Sequence, residues 1–143
     1  MDAMRAAELL KRIDLFQGLT RDDIIKIYSK GMTMYVPKGQ AIFMKGTVGS
    51  QMYVVLGGKI GVYDKNQCIA VLTAGDMFGE MALVNKEPRS ADVGALEDSE
   101  VFALSESVFQ NLLSKRVAIQ ILLNIIRTLS HRLKDANLRF TGN

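Results

Sequence analysis

Residues 75–91 read Gly75-Asp76-Met77-Phe78-Gly79-Glu80-Met81-Ala82-Leu83-Val84-Asn85-Lys86-Glu87-Pro88-Arg89-Ser90-Ala91, and they hold the parts of an anion site. Gly79 lacks a Cβ, so a ligand can come close to its backbone. The turn after it reads as a short helical segment over Gly79 to Asn85. The free N–H groups of that segment, from about Met81 and Ala82, favour a negative group. Arg89 follows a loop stiffened by Pro88 and stands at the start of the next strand. From there its guanidinium can return to the same anion with a forked pair of hydrogen bonds. Ser90 adds a hydroxyl beside it. Glu80 is a carboxylate next to an anion site, where repulsion argues against it; it makes sense if it accepts a hydrogen bond from a ligand hydroxyl while Arg89 balances its charge. A ligand with one negative phosphate, a neighbouring hydroxyl and an apolar face satisfies all of these groups. On residue types alone, an ordinary surface ion pair between Glu80 and Arg89 explains the same two residues equally well.

Around this segment, the chain from Met32 to Leu104 has the texture of a β-structure. Short β-prone runs, Met32–Val36, Ala41–Met44, Met52–Leu56, Lys59–Tyr63, Cys68–Leu72, Ala91–Gly94 and Glu100–Leu104, are separated by turns such as Pro37-Lys38-Gly39, Gly57-Gly58 and Asp64-Lys65-Asn66. Strands at this spacing predict a sandwich or rolled barrel. Helical spacing brackets the β-region on both sides. Ala3 to Ile13 carries Ala7, Leu9, Leu10 and Ile13. Thr20-Arg21-Asp22-Asp23 is a capping-box-like start ahead of Ile24, Ile25 and Ile27, with Gly31 placed to end that helix. Downstream, Ser105 reads as an N-cap before Val108, Leu112 and Leu113. A longer helix follows from about Val117 to Leu138. In it Leu122, Ile126, Leu129, Leu133, Ala136 and Phe140 follow the 4-3-4-3-4 spacing of a coiled-coil seam, open either to a second copy or to packing within the chain. Ile119, Leu123 and Ile125 lie off the seam, facing the β-body.

The 143 residues make one domain, 48% apolar and 23% charged, with ample material for a core. Basic and acidic residues balance, 14 against 14, as far as Val117; the excess of +3 falls in the last helix and reads as a solvated face, not a nucleic-acid footprint. One cysteine, Cys68, excludes a disulfide framework, and it reads as a small buried apolar group. One histidine, His131, excludes sites needing several imidazoles and reads as solvated. The start of the chain has no apolar leader and no run is long enough to span a bilayer, so a cytoplasmic protein is expected, with a free-standing or amino-terminal placement. Gly57-Gly58-Lys59 lacks the following Ser or Thr of a phosphate loop and reads as a hairpin turn. No local motif supports a nucleophile, a metal or a cofactor, so the chain is expected not to be an enzyme.

The run Phe78-Gly79-Glu80-Met81-Ala82-Leu83 with Pro88-Arg89-Ser90-Ala91 closely resembles the phosphate-binding cassette of cyclic-nucleotide-binding domains, the family of catabolite activators and kinase regulatory subunits. Leu15-Phe16-Gln17-Gly18-Leu19-Thr20, Val36-Pro37-Lys38-Gly39, Lys45-Gly46 and Tyr53-Val54-Val55-Leu56-Gly57-Gly58-Lys59-Ile60 extend the likeness over roughly residues 15–140. The resemblance implies one domain over residues 1–143. Its parts are N-terminal helices (1–31), an eight-stranded jelly-roll-like β-roll (32–104) carrying the cassette (78–91), and C-terminal hinge and lid helices (105–140). It implies that Arg89 binds the exocyclic phosphate oxygens and Glu80 the ribose 2′-hydroxyl. Phe78, Gly79, Met81, Ala82, Ser90 and Ala91 complete the cradle. It places the base against Val62, Ile69 and Ala70, and polar lid contacts at Arg132 and Asn137. The ligand implied is cyclic AMP or cyclic GMP, with Ser90 resembling the cyclic-AMP type. Partners implied are that nucleotide and a second copy through Leu122, Ile126, Leu129 and Leu133, with neither membrane nor direct nucleic-acid binding. Occupancy is expected to move the C-terminal helix. Two other readings stay open: the receptor half of a catabolite-activator-type transcription regulator without its DNA-binding part, and a ligand-free dimerisation scaffold.

Overall fold

A computed structural model of the chain describes residues 2–140, excepting the side chains of Arg132 and residues 138–140. Helices α1 (Ala3–Leu10) and α2 (Arg21–Lys30) flank a 3-10 turn at Asp14–Phe16. Eight strands follow: β1 (Met32–Val36), β2 (Ala41–Phe43), β3 (Gln51–Gly57), β4 (Ile60–Asp64), β5 (Gln67–Leu72), β6 (Met77–Phe78), β7 (Asp92–Ala95) and β8 (Ser99–Ser105). Helices α3 (Glu106–Asn111) and α4 (Lys115–Phe140) close the chain. The strands form two antiparallel four-stranded sheets, ordered β1-β8-β3-β6 and β2-β7-β4-β5. This is the eight-stranded roll with flanking helices expected from the sequence.

The central strands explain the layering. In β3, Met52, Val54 and Leu56 face the helices while Tyr53 and Val55 face the opposite sheet. In β8, Phe102 and Leu104 join the helical core and Val101 and Ala103 the inter-sheet core. Alternation puts successive side chains on opposite faces, so a strand buried on both sides reads as a continuous apolar run. The β4–β5 hairpin turns at Lys65 and Asn66, both at positive φ (51° and 66°), as a two-residue turn between right-twisted strands requires.

Several expectations need correction. Gly57-Gly58-Lys59 is a turn but not a hairpin, because β3 and β4 belong to different sheets. Gly58 adopts φ +89°, and a Cβ there would overlap the Ser99 hydroxyl. Gly31 ends α2 in an extended conformation rather than a left-handed cap; it is required because a Cβ would overlap the Phe102 ring. Helix α1 stops at Leu10, and Ile13 is buried beyond it. In α3 the buried residue is Phe109, while Leu112 is 58% exposed. Cys68 is exposed, since β5 is a sheet edge whose residues 67–71 all face solvent. His131 is exposed as expected.

Helix α4 buries Val117, Ile121, Asn124 and Ile125, not Ile119 or Leu123, which are exposed. The seam does not pack within the chain: Leu122, Ile126, Leu129 and Leu133 are all exposed, and the Phe140 side chain lies outside the described residues. The buried face is held by polar groups as well as apolar ones. The Asn124 amide donates to the carbonyls of Leu15 and Gln17, each at 2.8 Å, and its oxygen accepts from Gln120 at 3.2 Å. Nearer its start, Arg116 forks onto buried Asp23, Nη2 to Oδ1 at 2.6 Å and Nη1 to Oδ2 at 3.0 Å. Asp23 also completes the expected capping box with Thr20.

The Arg116 hydrogen bonds, with the Thr20 bonds adding to them against the cost of burial, hold the Asp23 carboxyl at about 2, below its ordinary 3.8. A carboxylate held below its unfolded value contributes stability fully above about 3.8 and loses it as pH falls toward 2. Urea denaturation from pH 7 down to pH 2 should therefore show a decline in that window that is reduced in Asp23→Asn. The variant should also be less stable than the parent at pH 7.

Candidate functional site

The segment 79–91 lines an open cavity of about 360 Å³ together with β6 and with Phe43, Val62, Leu72 and Val93 of the second sheet. Backbone geometry aims its residues. Gly79 sits at φ 73°, ψ 18°, the left-handed region where glycine carries no penalty, and turns the chain from β6 into a 3-10 turn at Glu80–Leu83. The Ala82 N–H donates to the Gly79 carbonyl at 3.1 Å, so the turn itself uses that group, which the sequence reading left free for a ligand. Further on, the Arg89 backbone is clamped to the β2–β3 loop: its N–H donates to the Thr47 carbonyl at 2.7 Å and its carbonyl accepts from Gly46 at 2.8 Å. Val48 and Pro88 form an isolated bridge beside them.

The Arg89 side chain runs inward from this clamp. Its Nη2 donates to the Gln51 carbonyl at 2.7 Å and its Nη1 to the Gly79 carbonyl at 3.5 Å. The guanidinium carbon lies 4.2 Å from the centroid of the Phe43 ring. Nε is buried without a hydrogen-bond partner. Among the described residues Arg89 makes no ion pair, so the surface pairing of Glu80 with Arg89 does not exist. Burial pushes the guanidinium below its ordinary pKa, and pushes the neighbouring Tyr53 phenol up against the opposing pull of the Arg89 charge. Space for the guanidinium comes from two missing side chains. A Cβ on Gly49 would overlap it, and one on Gly79 would come within 2.6 Å of Nη1.

Phe78, Gly79, Glu80, Met81, Ala82, Arg89, Ser90 and Ala91 all line this one cavity. Glu80 is only 6% exposed there. Of the three residues placed at the base, Val62 lines the cavity; Ile69 and Ala70 do not, because both lie on the exposed stretch of edge strand β5. Leu72, farther along the same strand, takes that place, with Met77 and Val93 beside it. Asn137 lies on α4 away from the cavity lining, and the Arg132 side chain lies outside the described residues. The sequence reading missed Phe43, Gly49 and Gln51. Glycine in the β2–β3 loop was the one available signal, and it reads equally well as a turn residue. No group of three His, Cys, Asp or Glu side chains among the described residues can hold a metal ion, and no described helix is long and apolar enough to cross a membrane.

A two-sheet roll with helical flanks thus carries a cavity lined by one half-buried arginine and one buried carboxylate. The chain belongs to the cyclic nucleotide-binding domain family, whose model matches residues 33–116. It is 31% identical over 134 residues to the cyclic AMP receptor protein of Thermus thermophilus, covering 90% of this chain and 61% of that protein. It is 36% identical over 113 residues to a cyclic nucleotide-gated potassium channel of Rhizobium etli, 79% of this chain and 32% of the channel. The crystal structure of the Thermus thermophilus catabolite activator protein superposes with a TM-score of 0.78 at 31% identity, over 90% of this chain and 62% of that one. A cyclic nucleotide-binding domain from Methylobacillus flagellatus, 23% identical, shares the fold with a TM-score of 0.79, over 96% of this chain and 81% of that one. The chain thus spans about three fifths of the receptor protein's length and a third of the channel's.

Gly49→Ala tests the geometry. The atoms its Cβ would meet belong to the flexible end of Arg89, so the fold can accommodate the methyl only by displacing the guanidinium. Calorimetric melting should show a Tm close to the parent's, while titration with cyclic nucleotide should show affinity lower by at least about tenfold, about 1.4 kcal/mol.

Proposed function

We propose that the domain binds 3′,5′-cyclic AMP and converts occupancy into a change in what α4 contacts. The observation that carries the reading is the buried, unpartnered Nε of Arg89 at the cavity wall. A buried cationic donor without a partner is costly, and an anion arriving at Nε and Nη1 removes that cost. In this reading Glu80 accepts the ribose 2′-hydroxyl, and the cassette residues 78–82, Ser90 and Ala91 surround the sugar phosphate. The base packs on Val62, Leu72 and Met77.

The charge arithmetic favours a cyclic phosphodiester. It carries a single negative charge, which one guanidinium balances. A 5′-monophosphate brings close to two, and the second would bury extra negative charge in a cavity that already holds the Glu80 carboxylate. The apolar base walls favour adenine, because guanine's amino and carbonyl groups would lose water there without finding partners. The Thermus cyclic AMP receptor protein among the relatives supports the same preference. None of the described side chains of helix α4 lines the cavity. A ligand biases the helix only through different affinities for its alternative positions. Its exposed Leu122, Ile126, Leu129 and Leu133, 37–64% exposed, are the face for a second copy of the chain.

Isothermal titration should give binding in the order cyclic AMP, cyclic GMP, 5′-AMP. Arg89→Ala should weaken cyclic AMP by about 2–5 kcal/mol, roughly 30- to 5,000-fold; unchanged affinity would refute the assignment. In sedimentation velocity the parent should run as a dimer, and Ile126→Glu with Leu133→Glu as a monomer of unchanged melting temperature.

A further inference from the structure

Phe43 stands apart from the cassette in sequence, on β2, yet the Arg89 guanidinium lies over its ring, 4.2 Å from the centroid. That ring is itself fixed. Its centroid lies 6.1 Å from Tyr53 and 6.0 Å from Phe78, in tilted arrangements, while Tyr53 and Phe78 stack on each other at 5.0 Å. Aromatic rings prefer such offset and tilted geometries, and the three hold one another in place. The face of a ring carries negative potential, so it attracts a cation, and more strongly where water is excluded. Arg89 is such a cation: part-buried, with burial opposing its charge and no carboxylate paired with it among the described residues.

We infer that Phe43 is a positioning residue: its ring face holds the Arg89 guanidinium in the aimed conformation before any anion arrives. The inference rests on the cyclic-nucleotide reading for its binding consequence, but not for the contact itself. The Gln51 carbonyl fixes one end of the fork through Nη2 at 2.7 Å. The Gly79 carbonyl, at 3.5 Å from Nη1, fixes the other only weakly. The ring supplies a further restraint, with the guanidinium carbon 4.2 Å over its centroid. An aliphatic side chain would fill the same space without attracting the charge. Arg89 would then populate other rotamers, and the apparent affinity would fall by the fraction of molecules not aimed.

The test keeps the shape of residue 43 and changes its electrons. Pentafluorophenylalanine at position 43 reverses the potential of the ring face and should weaken cyclic AMP binding by roughly 3- to 10-fold with little change in Tm. Phe43→Tyr should bind like the parent, and Phe43→Leu should weaken like the fluorinated protein. If fluorination leaves affinity unchanged while Arg89→Ala abolishes it, the nucleotide reading stands and the positioning role is refuted. If the parent binds no cyclic nucleotide, that reading fails, and the ligand-free protein decides the contact by NMR. Upfield ring-current shifts of the Arg89 Cδ and Nε protons that vanish in Phe43→Leu support it, and their absence in the parent overturns it.

Discussion

A half-buried guanidinium that makes no ion pair among the described residues is an expensive arrangement, and here the surrounding structure is arranged to sustain it. Two backbone carbonyls, an aromatic face and the absence of side chains at Gly49 and Gly79 keep Arg89 in place. None of these neighbours carries a negative charge, so together they orient the cation without neutralising it. A carboxylate in their place would satisfy Arg89 permanently and leave nothing for a ligand to gain. The carbonyl of Gln51 and the ring of Phe43 come from different sheets, which makes the aim of one side chain depend on the assembled roll.

Strand β3 links the cavity to the helical layer. Its first residue, Gln51, offers the carbonyl to Arg89, and Tyr53 stacks on Phe78 at the cavity wall. Its alternate residues, Met52, Val54 and Leu56, sit in the same core as Ile121 and Ile125 of α4. A shift of the cassette therefore meets a strand whose other face already supports the long helix. That helix is anchored in its first half, by Asp23 on Arg116 and by Asn124 on the carbonyls of Leu15 and Gln17. Its apolar residues farther along, Ile126, Leu129 and Leu133, are exposed.

Much of this was legible in residues 75–91 and in the runs around them, because the signals are local. A capping box, a positive-φ glycine and a period-two apolar run each depend on neighbours a few positions away. The sites assigned by likeness to the cassette converge on one cavity for the same reason: residues 78–82 and 89–91 belong to a single continuous segment. The errors fall where an assignment needed to know which strand lies at an edge or which helix face meets the body. Ile69, Ala70 and Cys68 look like interior residues in a list, but β5 has a neighbour on one side only.

The amino-acid order by itself thus determined the elements, the cassette and the presence of a cation and a carboxylate in one continuous segment that lines one cavity. Only the tertiary structure decided that Phe43, Gly49 and Gln51 belong to the same site, and that Leu72 rather than Ile69 forms its apolar wall. Those contacts join β2, β3 and β5 to the 79–91 segment across two sheets, and no periodicity within a strand carries information about which distant side chain its face will meet.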